Sequence, residues 1–268
     1  MDEWVRTDSP HETVSGSGTT SAARRRPERT LPPEVASEIR RKADMATARQ
    51  KEALVERMQQ AVAAYERGRV QESGRLARAV ADVVPTVAEV RRLAGLSAYR
   101  EGRWRQAVLH LEAYAGLGAD LEHVPALMDC YRALGRKKKV NDLWAELRGQ
   151  SPSVEVLTEA RLVVAGVLAD GGDLDGAISL LAGAGAGKAL RNPADRHVRQ
   201  WYALGDLYER AGDLPRAREL FERVAMADPE AYDVLERLDS LGPVRGRSRP
   251  PRSDSAARGG NDALRRSQ

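Results

Sequence analysis

The sequence predicts an all-α protein in which about five helix pairs stack side by side into an elongated solenoid. Two observations support this fold class. A pattern of Gly, small residues and large apolar residues returns every 34 residues over 54–154. Aromatic residues make up only 4% of the chain, whereas Ala, Leu and Val are abundant, which favours packed helices over β-sandwiches and barrels.

The pattern is most complete in its last copy. It reads Trp201-x2-Leu204-Gly205-x2-Tyr208-x3-Gly212-Asp213-x3-Ala217-x3-Phe221, and Pro229 follows eight residues later. This resembles the tetratricopeptide repeat (TPR), a 34-residue helix pair with Trp, Leu-Gly, Tyr, Ala, Phe and Pro at fixed positions. The resemblance implies a right-handed superhelical solenoid, in which the first helix of each pair lines a concave, partner-binding surface.

The same frame divides most of the chain into repeats. It places them at 54–87, 88–121, 121–154, 158–191 and 198–231. A capping helix is expected to follow and to end at residue 241. Position 15 of a repeat is Gly, because a left-handed residue ends the first helix there. Position 20 is small, since the two helices cross closely, and Val140 is the exception. An irregular all-α domain and a different helical solenoid stay open as alternatives.

Capping residues predict where individual helices begin. Asn192 and Asp228 each precede a proline, and each is interpreted as an N-cap followed by the first helical residue. Thr86 and Glu89 have the spacing of a capping box that would open the second repeat. Residues 31–53 are expected to form a lead-in or capping helix before the first repeat.

The two ends of the chain lack apolar periodicity. Residues 1–30 are rich in Ser, Thr, Gly, Arg and Pro and are predicted to be disordered. Residues 242–268 carry seven Arg against two Asp and are predicted to form a disordered basic tail. These arginines predict weak, nonspecific contact with RNA or DNA, and a tail that only improves solubility is the equal alternative.

Several functional classes find no support in the sequence. No stretch of about 18 apolar residues predicts a membrane span, so no membrane partner is expected. Gly187-Lys188 lacks the other residues of a phosphate-binding loop, and the four histidines lack the spacing of a zinc site. No nucleophile or base pattern stands out. We therefore predict a non-enzymatic protein without catalytic residues, metal or cofactor.

Location and origin are predicted from composition. Cys130 is the only cysteine and cannot form an internal disulfide, which fits a reducing cytoplasm. The N-terminus shows no basic region followed by an apolar stretch, so no signal peptide is expected. The Arg-, Ala- and Gly-rich composition is typical of GC-rich bacterial coding.

The TPR resemblance also implies which residues face a partner, namely positions 2, 5, 9, 12 and 13 of each first helix. These positions predict a groove formed by Met58, Val62, Tyr65, Arg92, Leu96, Tyr99, Arg100, Glu122, Asp129, Arg132, Arg199, Tyr202, Asp206, Glu209 and Arg210. The fourth repeat offers only Leu162, Gly166 and Asp170, a bare patch. Tyr65 and Tyr99 either anchor a ligand or pack between repeats, and the sequence leaves both open.

The predicted function is a scaffold that binds an unidentified protein or peptide in this groove. The alternative is a nucleic-acid-associated adaptor whose basic tail contacts RNA or DNA. Chaperone-binding TPR proteins use Lys and Asn on their first helices to hold a carboxylate. The three asparagines of this chain lie elsewhere, so a chaperone-type clamp is not predicted.

Overall fold

The computed structural model describes residues 30–118 and 120–242, and all regular structure in these residues is helical. Twelve helices follow one another along this part of the chain. They are α1 (Pro33–Lys42), α2 (Ala48–Glu66), α3 (Val70–Ala81), α4 (Ala88–Arg100), α5 (Trp104–Ala115), α6 (Val124–Ala133), α7 (Lys137–Gly149), α8 (Val154–Asp170), α9 (Leu174–Gly183), α10 (Asp195–Arg210), α11 (Leu214–Ala227) and α12 (Val234–Ser240).

Ten of these helices, α2 to α11, form five successive pairs, whose members we call helix A and helix B. The link from helix A to helix B holds a glycine with φ between 70° and 86° in every pair. These glycines are Gly68, Gly102, Gly135, Gly172 and Gly212. Only Gly adopts this left-handed conformation without a steric penalty, so the glycine predicted at position 15 has the expected role.

The pairs stack in chain order. Helix B of each pair contacts helix A of the next, and successive helices A also contact one another. The first helix, α1, packs on α2, and the last, α12, packs on α11. The predicted all-α fold of about five stacked TPR-like pairs is therefore confirmed.

The stacking buries a chain of three apolar clusters. The first includes Ile39, Met58 and Val80; the others centre on Leu111 and Phe221. Each cluster draws residues from at least two neighbouring pairs, because one pair has no second surface against which to bury its own apolar face.

The close crossing of helix A and helix B depends on small side chains at position 20. Ala107, Ala177 and Ala217 are fully buried, and in the first repeat the hydroxyl of Ser73 is hydrogen-bonded to that of Ser97 at 3.1 Å. Val140 is also fully buried, so the third pair accommodates a larger residue there.

We expect Ala217→Trp to lower the free energy of unfolding by about 1–3 kcal/mol, because the indole overfills a closely packed crossing. Ala217 is 0% exposed, so the added volume has no route to solvent. Thermal melting followed by circular dichroism measures the effect. An unchanged melting temperature would contradict the assignment of this residue to the crossing.

The lead-in segment differs from the prediction of one helix over 31–53. Helix α1 ends at Lys42, and Met45 in the break is 94% exposed. Helix α2 then begins at Ala48, where Thr47 and Gln50 form a reciprocal capping box. The capping box stops α1 and α2 from merging, because it supplies hydrogen bonds for the first amides of a new helix.

Three further predicted helix starts are wrong. Helix α10 begins at Asp195, two residues after Pro193, and α12 begins at Val234, five residues after Pro229. Helix α4 has no side-chain cap from Thr86. The side-chain N-caps outside α2 are instead Ser153, Asp173 and Asp213.

The disorder predicted for 1–30 and 242–268 concerns residues that lie, except for Thr30 and Gly242, outside the described part of the chain.

Candidate partner-binding cleft

A cleft of about 410 Å³ runs across the helices A of all five pairs. No helix B residue lines it. Its lining residues lie on α2, α4, α6, α8 and α10 or directly before α6 and α8. They are Tyr65, Leu96, Tyr99, Glu122, Pro125, Ala126, Ser153, Glu155, Val156, Glu159, Leu162, Val163, Arg199, Tyr202 and Ala203.

Two tyrosines form the end of the cleft nearest the N-terminus. The guanidinium carbon of Arg100 lies 5.1 Å from the centre of the Tyr65 ring. The Tyr99 ring tilts against Trp104 at 5.8 Å, and its hydroxyl donates a hydrogen bond to Asp129 Oδ2 at 3.0 Å. Both rings also pack against core clusters. The two roles left open by the sequence are therefore compatible, since one face of a ring contacts the core while another lines the cleft.

Charged side chains surround the apolar part of the cleft. Glu159 pairs with Arg199 at 2.8 Å, so an ion pair joins α8 to α10 inside the lining. Glu155 pairs with Arg196 at 2.9 Å, and Glu122 is exposed just before α6. A ligand in this cleft would thus meet aromatic and aliphatic surface flanked by ion pairs and by the carboxylate of Glu122.

Tyr202 closes the end of the cleft nearest the C-terminus. Its hydroxyl donates to Asp233 Oδ1 at 2.5 Å, and its ring stacks on Tyr232 with centroids 4.2 Å apart. Tyr232 has a φ of 55°, a left-handed conformation that costs energy for a side chain of this size. Burial raises the pKa of the Tyr202 phenol, so the hydroxyl stays protonated as a donor.

One arginine joins the capping helix to this end of the cleft. Arg237 of α12 contacts Asp206 at 3.1 Å, Glu209 at 2.7 Å and Asp233 at 3.1 Å. Asp206 is only 4% exposed, and burial raises its pKa while Arg237 and Arg210 lower it. The charge of this buried carboxylate therefore depends on its two arginines.

A family model described as tetratricopeptide repeat matches residues 198–238, which include most of α10, all of α11 and most of α12. The same glycine-linked hairpin recurs in the four pairs before it. The match covers one of the five pairs, so residues 198–238 are similar to a tetratricopeptide repeat. Stacked helical repeats of this kind present extended concave surfaces that bind other proteins.

Comparison with known structures and curated proteins adds two findings. YrrB, described as a TPR protein with an unusual peptide-binding site, aligns with a TM-score of 0.44 and 18% sequence identity. The alignment covers 72% of this chain and 96% of YrrB. A search of the curated proteins found no match.

Six of the fifteen residues predicted for the groove line the cleft. These are Tyr65, Leu96, Tyr99, Glu122, Arg199 and Tyr202. Met58, in contrast, is fully buried in the first core cluster and cannot face a partner, so its assignment to the groove is wrong. Val62 is half-buried against the same cluster and does not line the cleft.

Most of the remaining predicted residues form ion pairs beside the cleft. Arg92 binds Glu89 of its own helix through two hydrogen bonds. Arg132 contacts Asp129 at 2.9 Å and Asp170 at 2.7 Å, so it joins α6 to α8. Asp129 is 3% exposed, and burial raises its pKa while Arg132 opposes that shift. Arg132 and Asp129 thus join neighbouring helices A, whereas Arg92 is paired within its own helix.

The other predicted residues behave similarly. Arg100 lies over Tyr65 at the edge of the cleft. Asp206, Glu209 and Arg210 belong to the network around Arg237. Arg210 also donates to the carbonyl of Ala169 at 3.3 Å, which joins α10 to α8.

Sequence reasoning missed the contribution of the fourth pair. It expected a bare patch there, yet Ser153, Glu155, Val156, Glu159, Leu162 and Val163 form the longest continuous part of the lining. Helix α8 begins at Val154, four residues before the assumed repeat start, so its first turn reaches the cleft. The N-cap Ser153, bonded to the amide of Val156, is the signal that could have located this start.

Other kinds of site are not evident in the described residues. Over 30–118 and 120–242, no group of three His, Cys, Asp or Glu side chains could hold a metal ion. Within the same ranges, no helix combines the length and apolarity needed to cross a membrane. Cys130 is buried, and its burial raises the thiol pKa, which makes it a poor nucleophile.

Proposed function

We propose that this protein is a TPR-type, non-catalytic scaffold that captures a peptide or helix of a partner protein in the cleft. The observation that carries the proposal is the lining, which comes from all five helices A and from no helix B. A concave surface assembled from successive repeats suits an elongated ligand. A volume of about 410 Å³ accommodates a few side chains, so a partner would insert a short anchoring segment.

Binding would depend on a few central contacts. Tyr65, Tyr99 and Leu96 offer adjacent aromatic and aliphatic surface. Tyr is a favoured anchor, because it buries a large area at a low cost in side-chain entropy. The hydrogen bond to Asp129 and the contact with Arg100 fix the two rings before a ligand arrives, which reduces the ordering cost of binding.

We expect Ala126→Leu to weaken peptide binding about ten- to hundredfold, because the added side chain fills the cleft without removing a tertiary contact. Peptides selected from a random display library on the full chain provide the ligands, and their dissociation constants are measured by calorimetry. Leu109→Ala is the matched control, since Leu109 is 61% exposed on helix B α5.

A second variant, Tyr65→Ala with Leu96→Ala, removes surface from the cleft instead of adding it. It is expected to weaken binding of the same peptides by a similar factor. Selected peptides that bind both cleft variants as tightly as the native chain would refute the proposal.

The cytoplasmic location also stays a proposal. It rests on the single, buried Cys130, which suits a reducing compartment. The identity of the partner is likewise proposed only as a class, a protein or peptide.

A further inference from the structure

We propose that the basic C-terminal segment, residues 243–268, occupies the cleft of its own chain when no partner is bound. The inference rests on the proposed function, since it takes the cleft as a docking site for an extended peptide. It goes further by stating what occupies the cleft, namely an arginine-rich segment of the same chain. This segment would compete with a partner for the cleft.

The first support is the charge of the surface around the cleft. From residue 122 onward, eight carboxylates and five guanidiniums lie in the lining or in the ion pairs beside it. The carboxylates belong to Glu122, Asp129, Glu155, Glu159, Asp170, Asp206, Glu209 and Asp233. The guanidiniums belong to Arg132, Arg196, Arg199, Arg210 and Arg237.

At the opposite end, Arg92 is neutralised by Glu89, and Arg100 adds one positive charge. The acidic excess therefore lies in the half of the cleft that is nearest the C-terminus of the chain. A basic ligand is favoured there over an acidic one.

The second support is the composition of the segment. Residues 243–268 carry seven Arg and two Asp, whereas residues 1–29 carry five basic and five acidic residues. The charge complementarity therefore favours the C-terminal segment over the N-terminal one. Arg also suits the aromatic lining, because its guanidinium stacks on Tyr faces and binds carboxylates. The contact of Arg100 with Tyr65 is an example of such stacking within this protein.

The third support is the place where the described chain ends. Asp233, which binds the cleft residue Tyr202, lies nine residues before Gly242. The intervening helix α12 rises about 1.5 Å per residue, so the segment begins roughly 14 Å from the edge of the cleft. Its 26 residues can extend to about 85 Å, far more than this distance requires.

Photochemical cross-linking within the full chain tests the proposal. With p-benzoylphenylalanine in place of Tyr65, the aromatic ring is kept and a reactive ketone faces the cleft. Mass spectrometry of the monomer is expected to place most cross-links in residues 243–268. The same group in place of the exposed Leu109 on α5 is the control and should give few such cross-links.

Charge variants test the electrostatic part. Glu122→Gln with Glu155→Gln should lower the yield of these cross-links about three- to tenfold, since each exposed ion pair contributes a modest factor. The matched control is Asp142→Asn with Glu146→Gln, which removes the same charge from exposed residues of α7, outside the cleft lining. An equal loss of cross-link yield in the two double variants would overturn the proposal.

Other occupants would give different products. Cross-links to residues 1–29, cross-links that appear only in dimers, or none at all would each overturn the inference. Cross-links to the segment that persist in the presence of excess selected cleft peptides, and disappear only when RNA is added, would overturn the competition between the segment and a partner.

The outcomes also separate this inference from the proposed function. If the segment does not cross-link but Ala126→Leu still abolishes peptide binding, only the inference fails. If the segment cross-links but the cleft variants bind selected peptides normally, the proposed function fails.

Discussion

Phe221→Ala is expected to lower the free energy of unfolding of the last repeat by about 3–5 kcal/mol. Phe221 is fully buried on α11 and packs against Tyr202 with ring centroids 5.7 Å apart. Truncation removes the apolar contacts of the ring and leaves a cavity that the surrounding helices fill only in part.

The glycine opposite Phe221 shows how closely the two helices pack around this ring. An added Cβ at Gly205 would lie 2.8 Å from the Phe221 ring, so α10 already approaches the ring as closely as its backbone allows. The Phe221 ring and Gly205 thus form one close contact between helix A and helix B. Both residues are fixed positions of the repeat pattern. The contact explains why a Gly stands in the interior of α10 although Gly has a low helix propensity.

Hydrogen exchange of individual amides is the appropriate measurement, because a solenoid can lose its terminal repeat without unfolding elsewhere. Protection should fall in α10 and α11 and stay unchanged in α4. Met226→Ala on the same helix is the control, since Met226 is 87% exposed and its loss should change stability by less than about 0.5 kcal/mol. Similar effects of the two variants would refute the assignment of Phe221 to the core.

Arg237→Ala is expected to destabilise the docking of α12 by about 2–3 kcal/mol at neutral pH. The variant leaves Asp206, which is 4% exposed, without its closest cation. Breaking a fully buried ion pair costs about 3–5 kcal/mol, and the estimate is lower here because Arg237 is 25% exposed. Arg210 remains as a second, more distant partner at 3.6 Å.

The loss of stability caused by Arg237→Ala should depend on pH in a definite direction. Burial raises the pKa of Asp206 in the folded protein, whereas Arg237 lowers it. Between the ordinary Asp pKa of about 3.9 and the raised value, the folded state binds more protons than the unfolded state. Stability therefore falls as pH rises through that window. Without Arg237 the pKa of Asp206 in the folded state rises further, so Asp206 is protonated more easily in the variant. The stability difference between the native chain and Arg237→Ala should therefore shrink as the pH is lowered from 7 toward about 4.5.

Urea titrations at several pH values measure the difference in free energy of unfolding between the native chain and the variant. Hydrogen exchange of the α12 amides is the local probe. Arg41→Ala is the control, because Arg41 is 73% exposed and its pair with Glu38 is 4.0 Å long. If the stability difference between the native chain and Arg237→Ala stays constant or grows on acidification, titration of Asp206 is not its cause.

The repeat pattern predicts the stacking correctly because each of its positions has a local physical cause. A left-handed turn requires Gly at Gly68 and Gly212, and a close crossing requires a small residue at Ala217. Large apolar residues four positions later, such as Phe221, fill the space that remains. These requirements act within a single pair, so they are readable without knowledge of its neighbours.

The candidate site was predictable only in part. The family pattern correctly indicates that helix A lines the cleft, and it finds Tyr65 and Tyr99. It fails at Met58, which the adjoining helices bury completely, and at α8, whose early start brings Glu155 into the cleft. Burial by a neighbour and the start of a helix both depend on contacts outside the 34-residue frame.

The sequence by itself determined the repeat, its glycine-ended helices and its apolar seam, since these follow from local backbone conformation and side-chain size. Only the tertiary structure decided which charged residues pair across helices, as Arg132 does between α6 and α8 and Arg237 between α12 and α10. Arginine side chains are long and flexible, so their partners are set by the distance between helices in space. For the same reason, the tertiary structure decided that most of the predicted polar groove residues join the helices to one another, which leaves a smaller, tyrosine-lined cleft for a partner.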